Sequence, residues 1–582
     1  MSDGTPIAGL PGAPVRTPVR QRSSGLPPRL WPAVAGRLVT RQAWIELYGM
    51  PGYRRTLPGG VTGLGGAPRD FRPVDKVQGE EILAGRFLLA GAAMEAEDPF
   101  DRPSPSRAFA QALHSFDWLP GLMSQGEAGA RQGARLTLLW HAHFARWSPF
   151  AWDPEILARR AYNLAVGVRR MHGTAAEADR PLLLGVAAAQ GRQLLRPPGG
   201  VAGRAERAAA AAIVGCALSG PAAEKLKRVG CKQLATALEL TVAADGSHAS
   251  RSPEAGLELL LDLQTLEEAL HQVSAPIPAA VTAAIQRLTR ALEFHRLPDG
   301  RLPAFNGGGP SEAARVAAAH PGKFKAEEPS RKAVGGYVRL GSPLLSVVAD
   351  AEAPPSGPWS RHACAQPLAV EILCGRDRLI TNSGWTPAAP ERQALRLTPG
   401  GSTLMLGDGS VQEPLTGWTG ELLDARLDGA ALDVTHERRD GEGAVWLEIQ
   451  HDGWKPQFGL LHQRRLYLDQ RLDELRAEER LWPAPGHVAE RPIAAPWAVR
   501  FHLEPGVSAE LSRDRRSILL RGRSGRGWWF RTDGPDLAVD TAVHAERGVI
   551  RRGQQIVVRG SARTDAETKI RWKLSPAGAT EG

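Results

Sequence analysis

The stretch DGSHASRSPEAGLELLLDL, residues 245–263, joins a tight turn to the start of a strongly apolar helix. Its Asp-Gly pair is a turn signal, Ser252 is a favourable N-cap, and Pro253 suits the first helical position. His248 and Arg251 therefore lie on a loop that a helix N-terminus holds in place. This arrangement predicts a site for a carboxylate or sulfate or, alternatively, a helix cap with two solvated side chains.

The hydrophobic period changes along the chain on either side of this loop. From Leu30 to about Leu297, Ala- and Leu-rich segments carry Arg and Glu at spacings of three and four, which predicts many helices joined by short breaks. After the Gly-rich residues 307–310, short apolar segments such as 368–373 alternate with turn residues. The sequence thus predicts an α+β protein, with an all-α N-terminal half and a layered antiparallel β half.

Composition limits the class of protein. The 582 residues favour two to four domains at roughly 150 residues each, and residues 1–30, rich in Pro, Gly, Ser and Arg, predict a flexible leader. The net charge of +10, from 72 Lys and Arg against 62 Asp and Glu, favours an anionic polymer as partner. Because this charge is diffuse and no recognition motif accompanies it, we expect no nucleic-acid partner.

The cysteines and the apolar segments of the sequence predict the cellular compartment of the protein. The four cysteines show neither a metal-finger spacing nor the density of a disulfide scaffold, which favours a reducing compartment. The N-terminus lacks the pattern of a secretory signal, and no stretch approaches the length of a membrane span. We therefore expect a cytoplasmic protein, whereas another start site or export route would place it in the cell envelope or periplasm.

Several motifs, taken in order, resemble the heparinase II/III family of polysaccharide lyases. In the helical half these are FDWL at residues 116–119, Trp140 and Trp152, and the loop and helix of residues 245–263. In the β half, HACAQPLAVE at residues 362–371 and NSG at 382–384 resemble the family's His-rich strand and the turn after it. Further matches are at residues 451–454, 462–468, 501–503, 551–557 and 571–572. The resemblance covers roughly residues 30–575.

The resemblance implies an architecture and a reaction. It implies an α/α toroid over residues 31–310 and a β-sandwich over residues 325–582. Such lyases cleave uronic-acid polysaccharides by β-elimination: a donor neutralises the carboxylate, a base removes the C5 proton, and an acid protonates the leaving oxygen. Family members use an Asn or His, a Tyr and a His for these roles, with a supporting zinc site in some.

In the helical half, the family's catalytic Tyr corresponds to Ala255, which cannot transfer a proton. His248 and Arg251 on the same loop could act instead as base and carboxylate clamp. The family's Asn-His signature has no counterpart, since Gln190 and Gln193 offer neither residue.

In the β half, counting back from Glu371 places the family's catalytic His at His362, although a slip of one or two residues is open. The remaining positions of the family's zinc site and its surroundings carry Cys364, Gln366, Asn382 and Gly401. One thiolate without a carboxylate would hold zinc poorly, so we expect no metal and no other cofactor.

Other residues have two interpretations each. His141 and His143 cannot share a helical face, so a metal pair there is disfavoured. Tyr337 is expected to be a packing residue rather than the missing acid. Trp118, Trp140 and Trp152 could be sugar-stacking platforms or core residues.

Two functions follow from these observations. One is a lyase acting on an acidic polysaccharide, with His248 and His362 exchanging protons and Arg251 neutralising the carboxylate. The alternative is a non-catalytic protein that binds or helps process an envelope glycan on the same scaffold. The sequence leaves the polysaccharide and the oligomeric state open.

Overall fold

The computed structural model describes residues 28–50, 52–57, 59–197, 199–320, 332–388, 392–486, 492–546 and 548–578. The predicted leader, residues 1–30, lies outside these ranges except for a 3-10 turn at Pro28–Leu30. In the described ranges, no helix is both long enough and apolar enough to cross a membrane.

In the described ranges, twelve α-helices precede the first strand of the large sheets, and two short ones lie within the β half. In chain order the helices of the described residues are α1 Trp31–Gly49, α2 Lys76–Leu83, α3 Arg107–His114, α4 Leu119–Met123, α5 Gly126–Phe144, α6 Pro154–Thr174, α7 Arg180–Leu194, α8 Arg204–Ala217, α9 Pro221–Thr241, α10 Pro253–Gln272, α11 Ala279–His295, α12 Ala313–Ala319, α13 Gly417–Leu422 and α14 Lys455–Phe458.

The strands begin with short pairs in the helical half and then form the whole C-terminal part. They are β1 Gly63–Leu64, β2 Arg86–Leu89, β3 Ala92–Glu95, β4 Leu218–Ser219, β5 Ala333–Val334, β6 Tyr337–Gly341, β7 Leu345–Asp350, β8 Val370–Cys374, β9 Asp377–Thr381, β10 Leu404–Leu406, β11 Glu413–Pro414, β12 Leu427–Asp428, β13 Val434–Gly441, β14 Ala444–His451, β15 Leu460–Asp469, β16 Glu474–Pro483, β17 Ala494–Leu503, β18 Ser508–Leu511, β19 Ser517–Arg521, β20 Gly527–Thr532, β21 Asp536–Glu546, β22 Val549–Arg563 and β23 Thr568–Pro576.

The helical part is an α/α toroid with one continuous apolar core that runs from Leu57 to Ala319. Helix α8 lies at its centre, because its Ala-rich sequence is buried almost throughout. Small residues let α8 and α9 approach closely: a Cβ on Gly215 would lie 2.5 Å from the backbone nitrogen of Lys227. The predicted helical half is confirmed.

Two antiparallel sheets form the β-sandwich. One has nine strands, ordered β21-β22-β17-β9-β8-β7-β6-β5 with β10 beside β17. The other has eight, ordered β13-β14-β15-β16-β23-β20-β19-β18. Inward-facing residues of both sheets form a single core, in which Phe501 lies 4.8 Å from Trp572, measured between ring centroids. The predicted fold class, a toroid followed by an antiparallel sandwich, is confirmed.

The two parts share an apolar contact at the first strands. Phe294 in the last turn of α11 and Leu297 just after that helix pack in one cluster with Val334 and Tyr337 of the nine-stranded sheet. Polar bonds reinforce this contact, since the backbone nitrogen of Gly335 donates to Asp245 Oδ2 at 2.7 Å. The division at residues 310 and 325 stays a prediction, and residues 321–331 lie outside the described ranges.

Candidate functional site

The loop before α10 has the predicted cap. Ser252 Oγ accepts from the nitrogen of Ala255 at 3.3 Å, and Pro253 begins the helix. Gly246 turns the chain with φ +90°, and Arg251 also has a positive φ of +57°. The cavity behind the loop is only about 20 Å³, which admits a water molecule but not a sugar. This cavity is therefore not the place where a saccharide binds.

His248 faces the first turn of α8. Its Nδ1 accepts from Ser250, whose backbone nitrogen lies 3.1 Å away, so the neutral ring carries its proton on Nε2. That Nε2 lies 3.4 Å from Glu206 Oε1. Burial alone would raise the pKa of Glu206, but the adjacent His248 lowers it below the ordinary value. The two side chains form a candidate proton-transfer pair that sequence reasoning missed, because the loop and α8 are far apart in the chain.

His362 ends the 3-10 helix Gly357–His362 on the β side of the same region. Burial, together with Arg361, Arg396 and His248, lowers the pKa of His362 well below its ordinary value, so this ring is neutral at pH 7. Trp359 of the same 3-10 helix meets the His248 ring edge-on, with centroids 5.8 Å apart. The fold thus brings His248 and His362 to one place.

Arg251 does not present a free guanidinium to His248 and His362. Its Nη2 is paired with Asp350, its Nε donates to the carbonyl of Gly335 at 2.9 Å, and its Nη1 donates to Ala353 at 2.7 Å. The group also lies over the Tyr337 ring, 4.9 Å from the centroid. The predicted carboxylate clamp is therefore corrected: Arg251 ties the loop to the first sheet, because each of its nitrogens already donates within the protein.

Charged side chains surround the two histidines. Arg361 is paired with Glu155 at the start of α6, and Arg207 donates to the carbonyl of Gly200 at 2.6 Å. We name as the interdomain cluster Glu155, Glu206, Arg207, His248, Trp359, Arg361 and His362. Burial lowers the pKa of both Arg207 and Arg361, despite nearby carboxylates. The cluster thus holds two desolvated guanidiniums beside the carboxylates of Glu155 and Glu206.

Helix α1 bridges the two parts near this cluster. Val34 packs with Leu422 and Leu423 of the β half, and Arg37 pairs with Asp424 at 3.2 Å. At the other end of the helix, the Tyr48 ring lies 5.7 Å from Trp147 of the toroid. The helix therefore links toroid and sandwich through both apolar and charged contacts.

At the positions that resemble the family's zinc site, polar side chains form hydrogen bonds and pack closely. Gln366 Nε2 donates to the carbonyl of Leu395 at 2.9 Å, and Asn382 Oδ1 accepts from the nitrogen of Ser402 at 2.9 Å. A Cβ at Gly401 would lie 2.8 Å from Cβ of Gln366. Burial raises the pKa of Cys364 to about 11, so it is a thiol rather than a thiolate. Neutral amides and a thiol make poor zinc ligands.

The hydroxyl of the tyrosine beside the loop already forms hydrogen bonds within the protein. Tyr337 donates its hydroxyl proton to the carbonyl of Arg251 at 2.6 Å and accepts from Asn306 Nδ2 at 2.7 Å. Burial raises its pKa above the ordinary value. Tyr337 is thus a buried packing residue, as predicted, and Ala255 supplies no acid.

Two other sequence hypotheses concern side chains away from the cluster. Trp118, Trp140 and Trp152 are buried in the toroid core, so the sugar-platform hypothesis is wrong for these three. Arg160 lies 4.1 Å from the Trp140 ring centroid. His143 pairs with Asp98 at 2.9 Å, a contact of the helical part rather than of the cluster.

Comparison with known proteins agrees with this architecture. Residues 325–573 match the family described as Heparinase II/III-like, C-terminal. FtsZ-localized protein C of Caulobacter vibrioides (strain NA1000 / CB15N) is 43% identical over 531 residues, which cover 88% of this chain and 90% of that protein.

Solved structures show the same fold at low identity. Heparinase III has a TM-score of 0.69 and 14% identity, with 94% of this chain and 92% of that one covered. A mutant of the heparan sulfate lyase HepC from Pedobacter heparinus has a TM-score of 0.54 and 14% identity, with 95% and 91% covered. The family match shows that this chain carries a heparinase II/III-like C-terminal domain, and the solved structures show that it shares their fold of helical toroid and β-sandwich.

Proposed function

We propose that this protein binds an acidic polysaccharide at the interdomain cluster without cleaving it by β-elimination. One observation carries the proposal: Ala255 stands where the resemblance requires the proton-transferring Tyr, and the hydroxyl of Tyr337, which contacts the loop at Arg251, both donates and accepts a hydrogen bond within the protein. An elimination needs an acid for the leaving oxygen. A bound glycan needs only a complementary surface.

The charge of the cluster supports an anionic ligand. Burial lowers the pKa of Arg207 and Arg361, so an anionic ligand would stabilise the charged form of these side chains. A guanidinium is well matched to the carboxylate of an acidic sugar. Trp359 adds an aromatic side chain beside these charges.

A second candidate function is elimination by a different set of groups. Neutral His362 could accept a proton, and the His248–Glu206 pair, 3.4 Å apart, could return it. This hypothesis needs a carboxylate-neutralising group other than Arg251, whose donors are occupied. Arg361 is the alternative donor that the cluster offers.

One experiment separates the two functions. Absorbance of unsaturated uronate and equilibrium binding would be measured on a panel of acidic polysaccharides, for the parent protein and for Arg361→Gln, His362→Ala and the exposed control His271→Ala. We expect no absorbance change, saturable binding, and an affinity loss of about tenfold in Arg361→Gln, with the control unchanged. Product formation that disappears in His362→Ala would establish the lyase instead. No binding and no product would exclude both.

The name of the Caulobacter relative supports a proposal about location. At 43% identity over most of both chains, we propose that this protein also localises with FtsZ. A fluorescent fusion imaged together with labelled FtsZ tests this proposal. A uniform distribution would contradict it without affecting the binding assay.

A further inference from the structure

A second concave surface lies on the nine-stranded sheet, on the face opposite the sandwich core. It is an open pocket of about 750 Å³ between strands β17, β21 and β22, Ser383 and residues 394–400. This volume suits a small molecule. We call it the sheet pocket; its polar lining includes Arg500, His502, Thr541, Arg551, Arg552 and Gln555.

Strand register places the polar residues on the outer face. His502 is directly opposite Gln555, and Arg500 is opposite Val557. Phe501, between them in the chain, points into the sandwich core. Because side chains alternate across a strand, Arg500 and His502 both face away from that core.

The sheet pocket has positive charge that the protein does not neutralise. Its described lining contains three arginines and no carboxylate. Arg551 and Arg552 are exposed and form no ion pair within the described ranges. Among the described residues, the Arg500 guanidinium donates to Gln555 Oε1, at 3.2 Å, and to Met405 Sδ, at 3.4 Å. Burial lowers the pKa of Arg500, nearby Arg559 adds to this effect, and the Asp540 carboxylate opposes it.

His502 adds a buried acceptor that has no donor. Its Nε2 donates to the carbonyl of Pro399 at 2.9 Å, so in the neutral ring Nδ1 carries a lone pair. The residue is 6% exposed, and Nδ1 has no hydrogen-bond partner among the described residues. Burial lowers the pKa of His502 to about 4, which keeps the ring neutral at pH 7. A buried acceptor of this kind is costly unless a ligand donates to it.

We propose that the sheet pocket binds a hydroxylated oxyanion of monosaccharide size. Its anionic group would meet the three arginines, and one of its hydroxyl groups would donate to His502 Nδ1. The exposed side chains of Val543 and Ile550 offer apolar edges for the C–H face of a sugar ring.

This inference goes beyond the proposed function, because it concerns a different set of residues. The ligand is inferred from the chemistry of those residues. The segment Ser383 to Trp385 connects the two places: Ser383 lines the sheet pocket, and the Trp385 ring lies 6.3 Å from that of His362. A variant of His362 therefore distinguishes binding at the interdomain cluster from binding in the sheet pocket.

The full chain would be titrated by calorimetry with glucuronate, glucose 6-phosphate, glucose and inorganic phosphate. We expect saturable binding of at least one hydroxylated anion, and weaker or undetectable binding of glucose and of phosphate. Comparing glucuronate with glucose 6-phosphate identifies the oxyanion. If no probe binds saturably, or if phosphate binds as tightly as both sugar acids, the proposal is overturned.

The variant R551Q/R552Q should weaken binding of the preferred probe at least tenfold, whereas Arg523→Gln, an exposed arginine outside the sheet pocket, should change it less than twofold. His362→Ala should leave this affinity unchanged. Unchanged affinity in R551Q/R552Q, or a loss confined to His362→Ala, would refute the site. Both arginines are exposed, so the double variant is expected to fold, and its unfolding midpoint checks this.

Discussion

Arg251 and Asp350 form a buried ion pair that joins the loop before α10 to the end of strand β7. Burial raises the pKa of Asp350 although Arg251 opposes that effect, so the carboxylate depends on this partner. The guanidinium also donates to backbone carbonyls at Gly335 and Ala353. The pair is therefore a joint between the toroid and the sandwich.

Replacing Arg251 by Met should destabilise the protein by about 3–5 kcal/mol, because it leaves a buried carboxylate without a partner. Urea unfolding at pH 7 measures this change. The exposed pair Arg131–Glu127 on α5 is the control, and Arg131→Met should cost less than about 1 kcal/mol. Equal losses in the two variants would show that the Arg251 pair contributes no more than a surface pair.

Buried histidines should make the protein sensitive to mild acid. His451 donates from Nε2 to His462 Nδ1 at 3.1 Å, and His462 lies 2.8 Å from Glu479. Burial lowers the pKa of His451 well below its ordinary value, and His462 and Arg464 add to this effect. The folded ring stays neutral where the unfolded one binds a proton. The stability it contributes is therefore present above about pH 6.5 and lost as pH falls below that value.

The free energy of unfolding should thus decrease between pH 6.5 and 5. Replacing His451 by Gln should reduce this slope by up to about 1.4 kcal/mol per pH unit, the contribution of one proton. Denaturant unfolding at several pH values measures it. The exposed His271→Gln is the control and should leave the slope as in the parent. An unchanged slope in the His451 variant would mean that this ring does not stay neutral in the fold.

Two helical glycines, one close to a neighbouring helix and one in open space, test the packing of the toroid. A Cβ at Gly215 of α8 would meet the backbone of Lys227 in α9, whereas one at Gly173 of α6 would meet nothing within 4 Å. Gly215→Ala should cost about 1–3 kcal/mol through overpacking. Gly173→Ala should stabilise by about 0.5–1 kcal/mol, since Ala favours helix. Thermal unfolding measures both changes, and a shift of the same sign in both would contradict the close approach of α8 and α9.

The prediction of the fold succeeded where local pattern and packing agree. Helices with apolar residues at spacings of three and four bury that face in one core, and short apolar segments between turns pair into sheets. The loop before α10 was predicted from its cap residues, and the cap is present. These features depend on neighbours in the chain, which the sequence displays directly.

The site was only partly predictable. The fold brings His248 and His362 to one place, their catalytic roles stay a prediction, and Glu206 and Arg361 join them only in three dimensions. Arg251 is a residue type suited to binding an anionic ligand, but here it forms an ion pair with Asp350. The three tryptophans proposed as platforms are core residues, because sequence does not show which large aromatics are covered.

The sequence by itself determined the class of fold, the helix cap at Ser252 and the absence of a tyrosine at position 255, since each is a property of residue identity or local spacing. Only the tertiary structure decided which charges are neutralised. Arg251 pairs with the carboxylate of Asp350 and is not available to a ligand. Arg551 and Arg552, by contrast, form no ion pair among the described residues. The physical reason is that the energy of a charge depends on burial and on partners within a few ångströms, and residues far apart in the chain provide them, as Asp350 does for Arg251 at a separation of 99 positions.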